Sequence, residues 1–235
     1  MLFVVHRFLR NVWWVACLSL LSVGVRAEGT VVATLLGKPI YENAVMPSAE
    51  QLNMVARTLG VSKEMAVAHF KHAKLSDIII EGVLDDYAKQ HNIEPDPALV
   101  TRFIDVFGES LKSAATLPQE PEQESEKDKA EVDNLVSATP PTEKRDPQTV
   151  AQEQIKLWLI NKALYAQYGG AVVFRSNTPQ FPIAAYNALF KDYAAQGKLV
   201  IKEESFAGLF WRSFAPPYNA EIDPEFVDFS HPWWF

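Results

Sequence analysis

Four groups of residues have types and spacings that could do chemistry. His69 and His72 stand three apart, which on a helix places both imidazoles on one face, within reach of a single zinc ion. Neither an acid nor a third histidine lies within a turn of them, and catalytic zinc takes three protein ligands, so no metal is expected. Asp85 and Asp86 are adjacent, so their carboxylates diverge around a helix and read as a solvated face rather than an acid–base pair. Gly169-Gly170, inside "LYAQYGGAVVF", would cradle a phosphate only if a helix followed, so that backbone donors and the positive helix end faced the anion. Here the glycines follow an apolar helical stretch, and no Gly-Lys-Ser or Gly-Lys-Thr comes after, so they read as a cap and turn. The fourth group is the C-terminal tail, with ten aromatics between Phe206 and Phe235 and the ending "HPWWF". A Gly-x-Ser-x-Gly elbow is missing and the histidines have no evident nucleophile partner, so no catalytic residue and no cofactor is assigned.

The N-terminus carries His6, Arg7 and Arg10, then an apolar run from Val12 to Val23, then Val25-Arg26-Ala27. This order reads as a secretory signal peptide, residues 1–27, cleaved after Ala27. Its apolar run falls short of the ~20 residues that span a bilayer, and no later run is long enough, so no transmembrane segment is expected in the mature chain. Cys17 follows Trp14-Val15-Ala16, a poor lipobox because Trp14 stands where leucine is usual and the apolar run continues past the cysteine. Removing Arg7, Arg10 and Arg26 with the leader takes the formal net charge from −7 to −10. Such a charge repels nucleic-acid phosphates, so no nucleic-acid partner is expected. The mature chain lacks cysteine, which excludes disulfides and leaves stability to a packed core.

The elements that must position these groups follow from periodicity. "VVATLLGKPIY" (31–41) reads as a strand, a tight turn at Gly37-Lys38-Pro39 and a second short extension. Ser48 with Gln51 predicts a capping box for a helix with Leu52, Val55, Ala56 and Leu59 on one face, ended by Gly60. Ser62 opens a second helical stretch, in which Leu75, Ile79, Val83 and Tyr87 recur at helical spacing. Asp96 and Pro97 predict the N-cap and first residue of a helix carrying Leu99, Val100, Phe103, Ile104 and Phe107. Composition then changes at Gly108. Residues 118–147 hold nine acids, four bases, five prolines and no aromatic, too polar to bury a core, so 108–149 reads as an acidic, Pro-rich disordered linker. Residues 150–201 read as a helix with Leu157, Ile160, Leu164 and Tyr168 on one face, a strand at 171–174, a turn at "SNTPQFP", a helix ended by Gly197 and a last strand in "KLVIKEE". In 202–235, Pro216, Pro217, Pro224 and Pro232 predict an extended strap rather than a helix.

Two stretches carry a family resemblance. "VVATLLGKPIYENAV" is similar to the opening "VVA-x-V-N-G-x-P-I" hairpin of the SurA-type periplasmic chaperones, with Leu35-Leu36 replacing Val-Asn. The run from Leu75 to Phe107, with its junction Ala88-Lys89-Gln90-His91-Asn92-Ile93 and then Glu94-Pro95-Asp96, resembles the helix–junction–helix of the same N-terminal domain. The resemblance covers 28–107 with a return over 150–201, and it implies a SurA N-terminal-like helical domain completed by the 150–168 helix. In that family a parvulin isomerase domain commonly stands between these parts. Here the acidic linker occupies its place, so on this resemblance no isomerase activity is expected.

The expected fold class is therefore mainly α with a small β element (α+β), with a small αβ extension after the helical domain and an extended aromatic tail. The expected function is that of a non-catalytic periplasmic chaperone-like protein, binding unfolded or partner polypeptide through an apolar groove. That groove is expected among Ile79, Val83, Tyr87, Phe103, Trp158, Leu164, Trp211, Trp233 and Trp234. The competing reading is a structural or assembly subunit with one dedicated envelope partner, and a weaker one is a peptidyl-prolyl isomerase or other enzyme. For the tail, the rings either pack on the chain's own helices, each burying a large area, or dock on a partner.

Overall fold

A computed structural model of the chain describes residues 29–114, 146–176 and 178–234. The segment expected as a leader and most of the segment expected as an acidic linker lie outside the described residues. The chain is mainly helical with small antiparallel sheets, an α+β protein.

β1 (Val31–Leu35) and β2 (Lys38–Tyr41) form a hairpin in which Leu35 pairs with Lys38. The two turn residues are Leu36 and Gly37, both at positive φ (51° and 76°), the geometry whose twist matches a two-residue hairpin. The turn thus falls one residue earlier than the Gly37-Lys38-Pro39 expectation, and Lys38 and Pro39 become strand residues. A short helix, α1 (Glu42–Val45), drops Val45 into the core.

α2 (Ala49–Leu59) begins at Ser48, where the predicted capping box is present. Ser48 Oγ accepts from the Gln51 N–H at 3.2 Å, and Gln51 Oε1 accepts from the Ser48 N–H at 2.9 Å. Gly60 ends the helix in the left-handed region. α3 (Lys63–Gln90) is one continuous helix capped by Ser62, and Asn92 at φ 52° turns the chain out of it while the Ile93 N–H reaches the Ala88 carbonyl at 2.8 Å. α4 (Pro97–Ala114) starts at Asp96, whose carboxylate accepts from the Ala98 N–H at 2.8 Å. The composition break at Gly108 is not a helix end. α4 runs six residues further, because Ile104, Phe107 and Leu111 keep one face apolar across it. After the segment expected as a linker, α5 (Pro147–Tyr168) begins before Val150.

Beyond α5 the chain forms a second hairpin, β3 (Val173–Arg175) with β4 (Thr178–Phe181). The segment expected as a turn, "SNTPQFP", is therefore strand over most of its length, with Phe181 buried. α6 (Ile183–Ala195) follows, then β5 (Leu199–Ile201), which pairs antiparallel with β1 and gives a three-stranded sheet of order β2-β1-β5. Last comes α7 (Glu204–Arg212), where an extended strap is expected. Every proline of the tail lies beyond Arg212, so 204–212 is free to coil, and Phe206 and Phe210, four apart, point into the core from one face.

The main core joins Val32, Ala33 and Leu35 of β1, Ile79 and Val83 of α3, Ile160 and Leu164 of α5, the inner face of α6, and the Phe206–Phe210–Phe214 row. A smaller core of Val100, Phe103, Ala151 and Ile155 lies between α4 and α5. Lys71 of α3 ties α1 to the approach of α7, with its ammonium 2.9 Å from Glu42 and 3.7 Å from Glu203.

Candidate functional site

The structure disperses the residues expected to line one open groove. Ile79, Val83, Tyr87 and Leu164 are interior, packed into the main core, and Phe103 is buried in the smaller one. They cannot line an open groove in this state. The physical reason is that an apolar stripe at helical spacing marks burial without saying against what, and here the partners are α6, α7 and the tail. Trp211 packs half-buried against the main core. Trp158, Trp233 and Trp234 do gather, over α5 and α4.

Aromatic stacking of the tail on the chain's own helices is what the described residues show. Residues 220–222 run beside β3, with the Phe174 N–H bonded to the Ala220 carbonyl at 2.9 Å and the Ile222 N–H to the Val172 carbonyl at 2.8 Å. At Asp228 the Gln180 side chain grips the backbone on both sides: its amide donates to the Asp228 carbonyl (2.9 Å) and its oxygen accepts from the Asp228 N–H (2.8 Å). Phe229 then stacks on Tyr165 at 5.0 Å, Trp233 on Phe107 at 5.9 Å, and Trp234 meets Phe103 edge-on at 5.1 Å. A cleft between this strap and α5 is lined by Trp158, Asn161, Gln180, Asp228, His231 and Trp233 among others. Its free volume of about 20 Å³ suits one water. Nearby, Ser230 holds the Asp228 carboxyl below the ordinary carboxylate range through hydrogen bonds from its hydroxyl and its N–H.

The opposite situation holds from Met46 to Met65. No described side chain in this segment is buried, although α2 is amphipathic and rests Leu52, Val55 and Ala56 half-covered near α3. Met46 is 46% exposed, Met54 45% and Met65 62%. Sequence reasoning missed this surface because it treated α2 as one more core helix. Its signal was the concentration of methionine, since three of the chain's four methionines fall within twenty residues.

The polar groups are structural in their placement. Asp85 and Asp86 are not simply solvated: Lys156 of α5 lies 2.6 Å from Asp85, and the Tyr193 hydroxyl of α6 donates to Asp86 at 2.8 Å. Tyr168 likewise donates to Asp192 (2.8 Å), Tyr87 to Gln167 (2.8 Å), and the buried Tyr186 to the buried Asn161 (2.8 Å). His72 rests on the Phe206 ring at 5.6 Å, and burial pushes its pKa down. Among the described residues, no group of three or more His, Cys, Asp or Glu is arranged to hold a metal. Gly169 caps α5 at φ 61°, its N–H bonded to the Tyr165 carbonyl at 2.8 Å, and the pair leads into β3 rather than a helix.

The tyrosine cluster has a pH consequence. Burial, and then the adjacent Asp192 or Asp86, push the phenols of Tyr168 and Tyr193 above their ordinary value, and burial does the same to Tyr87 and Tyr186. A raised phenol is held neutral by the fold, so its stabilisation is complete below the unfolded value of about 10 and is lost as pH climbs toward the folded value. Urea-unfolding free energy should therefore hold level to about pH 9 and fall steeply above pH 10, with tyrosinate absorbance appearing together with unfolding. The Tyr193→Phe variant should show a shallower fall, which ties the fall to the phenols. Free ionisation of these phenols near pH 10 in a fully folded protein would contradict the assignment.

Among the described residues, no helix is long and apolar enough to cross a membrane. No protein-family model matches the chain, and no match is found among curated proteins or solved structures.

Proposed function

We propose that the protein is a non-catalytic, chaperone-like polypeptide binder of the periplasm, akin to the SurA-type chaperones, and that it engages apolar segments through the α2 segment. The observation that carries this reading is the run from Met46 to Met65, an amphipathic stretch with no buried described side chain and three exposed methionines. Methionine is flexible and polarizable, so a methionine-bearing surface adapts to clients of different shape, which is how promiscuous binders re-pack. Shielding of apolar client segments needs no catalytic group. The acidic excess of the chain would keep the loaded complex soluble.

The test compares the wild-type chain with a Met46→Ser, Met54→Ser, Met65→Ser variant in suppressing aggregation of several unrelated denatured clients at stoichiometric ratios. Exposed positions tolerate such changes, so the melting temperature should move by no more than a few degrees. Suppression by the variant should fall roughly fivefold or more, the scale of about 1 kcal/mol of lost apolar contact. Equal suppression by both proteins would remove the α2 segment from the reading. Inert behaviour toward every client, with a single stable partner in a pull-down, would replace it with the dedicated assembly subunit.

A further inference from the structure

α2 faces water with a charge pattern that its own chain leaves unanswered. Glu50 stands in its first turn and Arg57 in its last, and they are the only charges on the helix. At 3.6 residues and 5.4 Å per turn, their spacing of two turns puts both on one stripe, about 10 Å apart, with Met54 between them. Glu50, Met54 and Arg57 are all exposed. Glu50 and Arg57 cannot pair with each other, since ion pairs along a helix form between residues three or four apart. Among the described residues, neither side chain has an ion pair or hydrogen bond with any other.

The stripe is complementary to itself. Turned end over end about a point between Asn53 and Met54, it sets Glu50 against Arg57 of a second copy and Arg57 against that copy's Glu50, with both Met54 thioethers beside the axis. Each residue then meets the other's counterpart in both directions, which is the condition for a two-fold interface. The same placement lays the positive end of one helix beside the negative end of the other. The flanks agree with it. Met46 precedes α2 and Met65 lies in the first turn of α3, past the end of α2, so the rotation brings the Met46 end of one copy to the Met65 end of the other. Asn53 and Thr58, exposed beside the stripe, carry no charge, so on α2 itself no like charges are brought together.

We propose that the protein pairs with a second copy of itself through an antiparallel contact of α2 with α2. The contact uses the segment that the functional reading gives to clients, but it stands on Glu50 and Arg57 and does not rest on that reading. The charge pairs set the register and reject the parallel arrangement, in which Glu50 meets Glu50 and Arg57 meets Arg57. Exposed ion pairs add little affinity, so pairing is weak and depends on concentration.

The test is charge reversal in the full chain, read by sedimentation equilibrium over a range of protein concentrations at physiological salt. Wild type should pair reversibly as concentration rises. Glu50→Arg makes the stripe wholly basic and Arg57→Glu makes it wholly acidic, so each variant alone should associate roughly tenfold or more weakly. An equimolar mixture of the two should regain wild-type association, because each stripe then meets its opposite at both positions. The double variant, Glu50→Arg with Arg57→Glu, should pair with itself for the same reason. Both positions are exposed, so thermal melting should stay within a few degrees of wild type, and recovery in the mixture shows that both variants are folded. A wild type that stays monomeric, a mixture no tighter than either variant alone, or a dimer indifferent to both reversals would overturn the proposal. Aggregation suppression is a separate readout, so failure of the client reading leaves this result standing.

Discussion

Phe210→Ala should destabilise the protein by roughly 3–5 kcal/mol, the usual range for removing a buried aromatic. The side chain is all but inaccessible to water and lies against four rings, with Phe190 at 5.3 Å, Phe206 at 5.7 Å, Phe214 at 5.4 Å and Trp211 at 5.4 Å. The neighbours are held by three different parts of the chain: Phe190 by α6, Phe206 and Trp211 by α7 itself, Phe214 by the tail beyond it. Truncation thus opens a void that no single movement can close, and the ring-on-ring contacts vanish with it. For a protein of this size the melting midpoint should drop by roughly 6–20 °C. Leu209→Ala, on the exposed side of the same helix, is the control and should shift it little. A small effect at Phe210 would mean that α7 is not part of the folding unit.

The second large effect belongs to the paired glycines. Gly170 has φ 86°, and a methyl group added there would stand 2.7 Å from the Ala184 β-carbon, which is fixed to the α6 backbone and cannot rotate away. Gly169 has φ 61° and ψ −150°, a region essentially closed to other residues, but open space around its missing β-carbon. Gly170→Ala should therefore cost roughly 2–4 kcal/mol from strain and overlap together, and Gly169→Ala roughly 1–3 kcal/mol from backbone strain alone. The two mechanisms separate in a double-mutant cycle. Adding Ala184→Gly should recover the overlap part of the Gly170→Ala loss and none of the Gly169→Ala loss, as read from denaturant midpoints. Identical coupling at both positions would show that α5 and α6 do not meet at Gly170.

Much of the helical architecture is legible in the sequence because caps are local chemistry. Ser48 with Gln51, Ser62, Asp96 before Pro97, Gly60 and Gly169 each act within three or four residues, and each stands where the pattern puts it. The pairing of β1 with β5 could not be read in the same way, since a three-residue strand carries no label of its distant partner. α7 was masked by averaging. The tail is rich in proline as a whole, yet the stretch from Glu204 to Arg212 contains none and has phenylalanine at helical spacing. The residues expected in one groove lie apart for a deeper reason. Ile79, Val83, Tyr87 and Leu164 are apolar and periodic, and burial is non-directional, so the pattern is the same whether the covering surface is α6 or a client. What separates the two cases is an apolar stripe left uncovered, and Met46 to Met65 shows that only once the rest of the chain has been placed.

The pairing of β5 with β1 also sets an order of events in time. β1 precedes every described helix, and the strand that completes its sheet comes after α6, so the hairpin of β1 and β2 waits through the synthesis of the six described helices α1 to α6 with one side unpaired. An unsatisfied strand border is a template for stray pairing, and closure over so long a stretch is slow relative to local helix formation. Chains halted before Leu199 should therefore accumulate as aggregates, while those reaching past Phe214 complete sheet and core in one cooperative step. The protein's own nascent form thus presents the kind of open, apolar, unfinished surface that needs shielding.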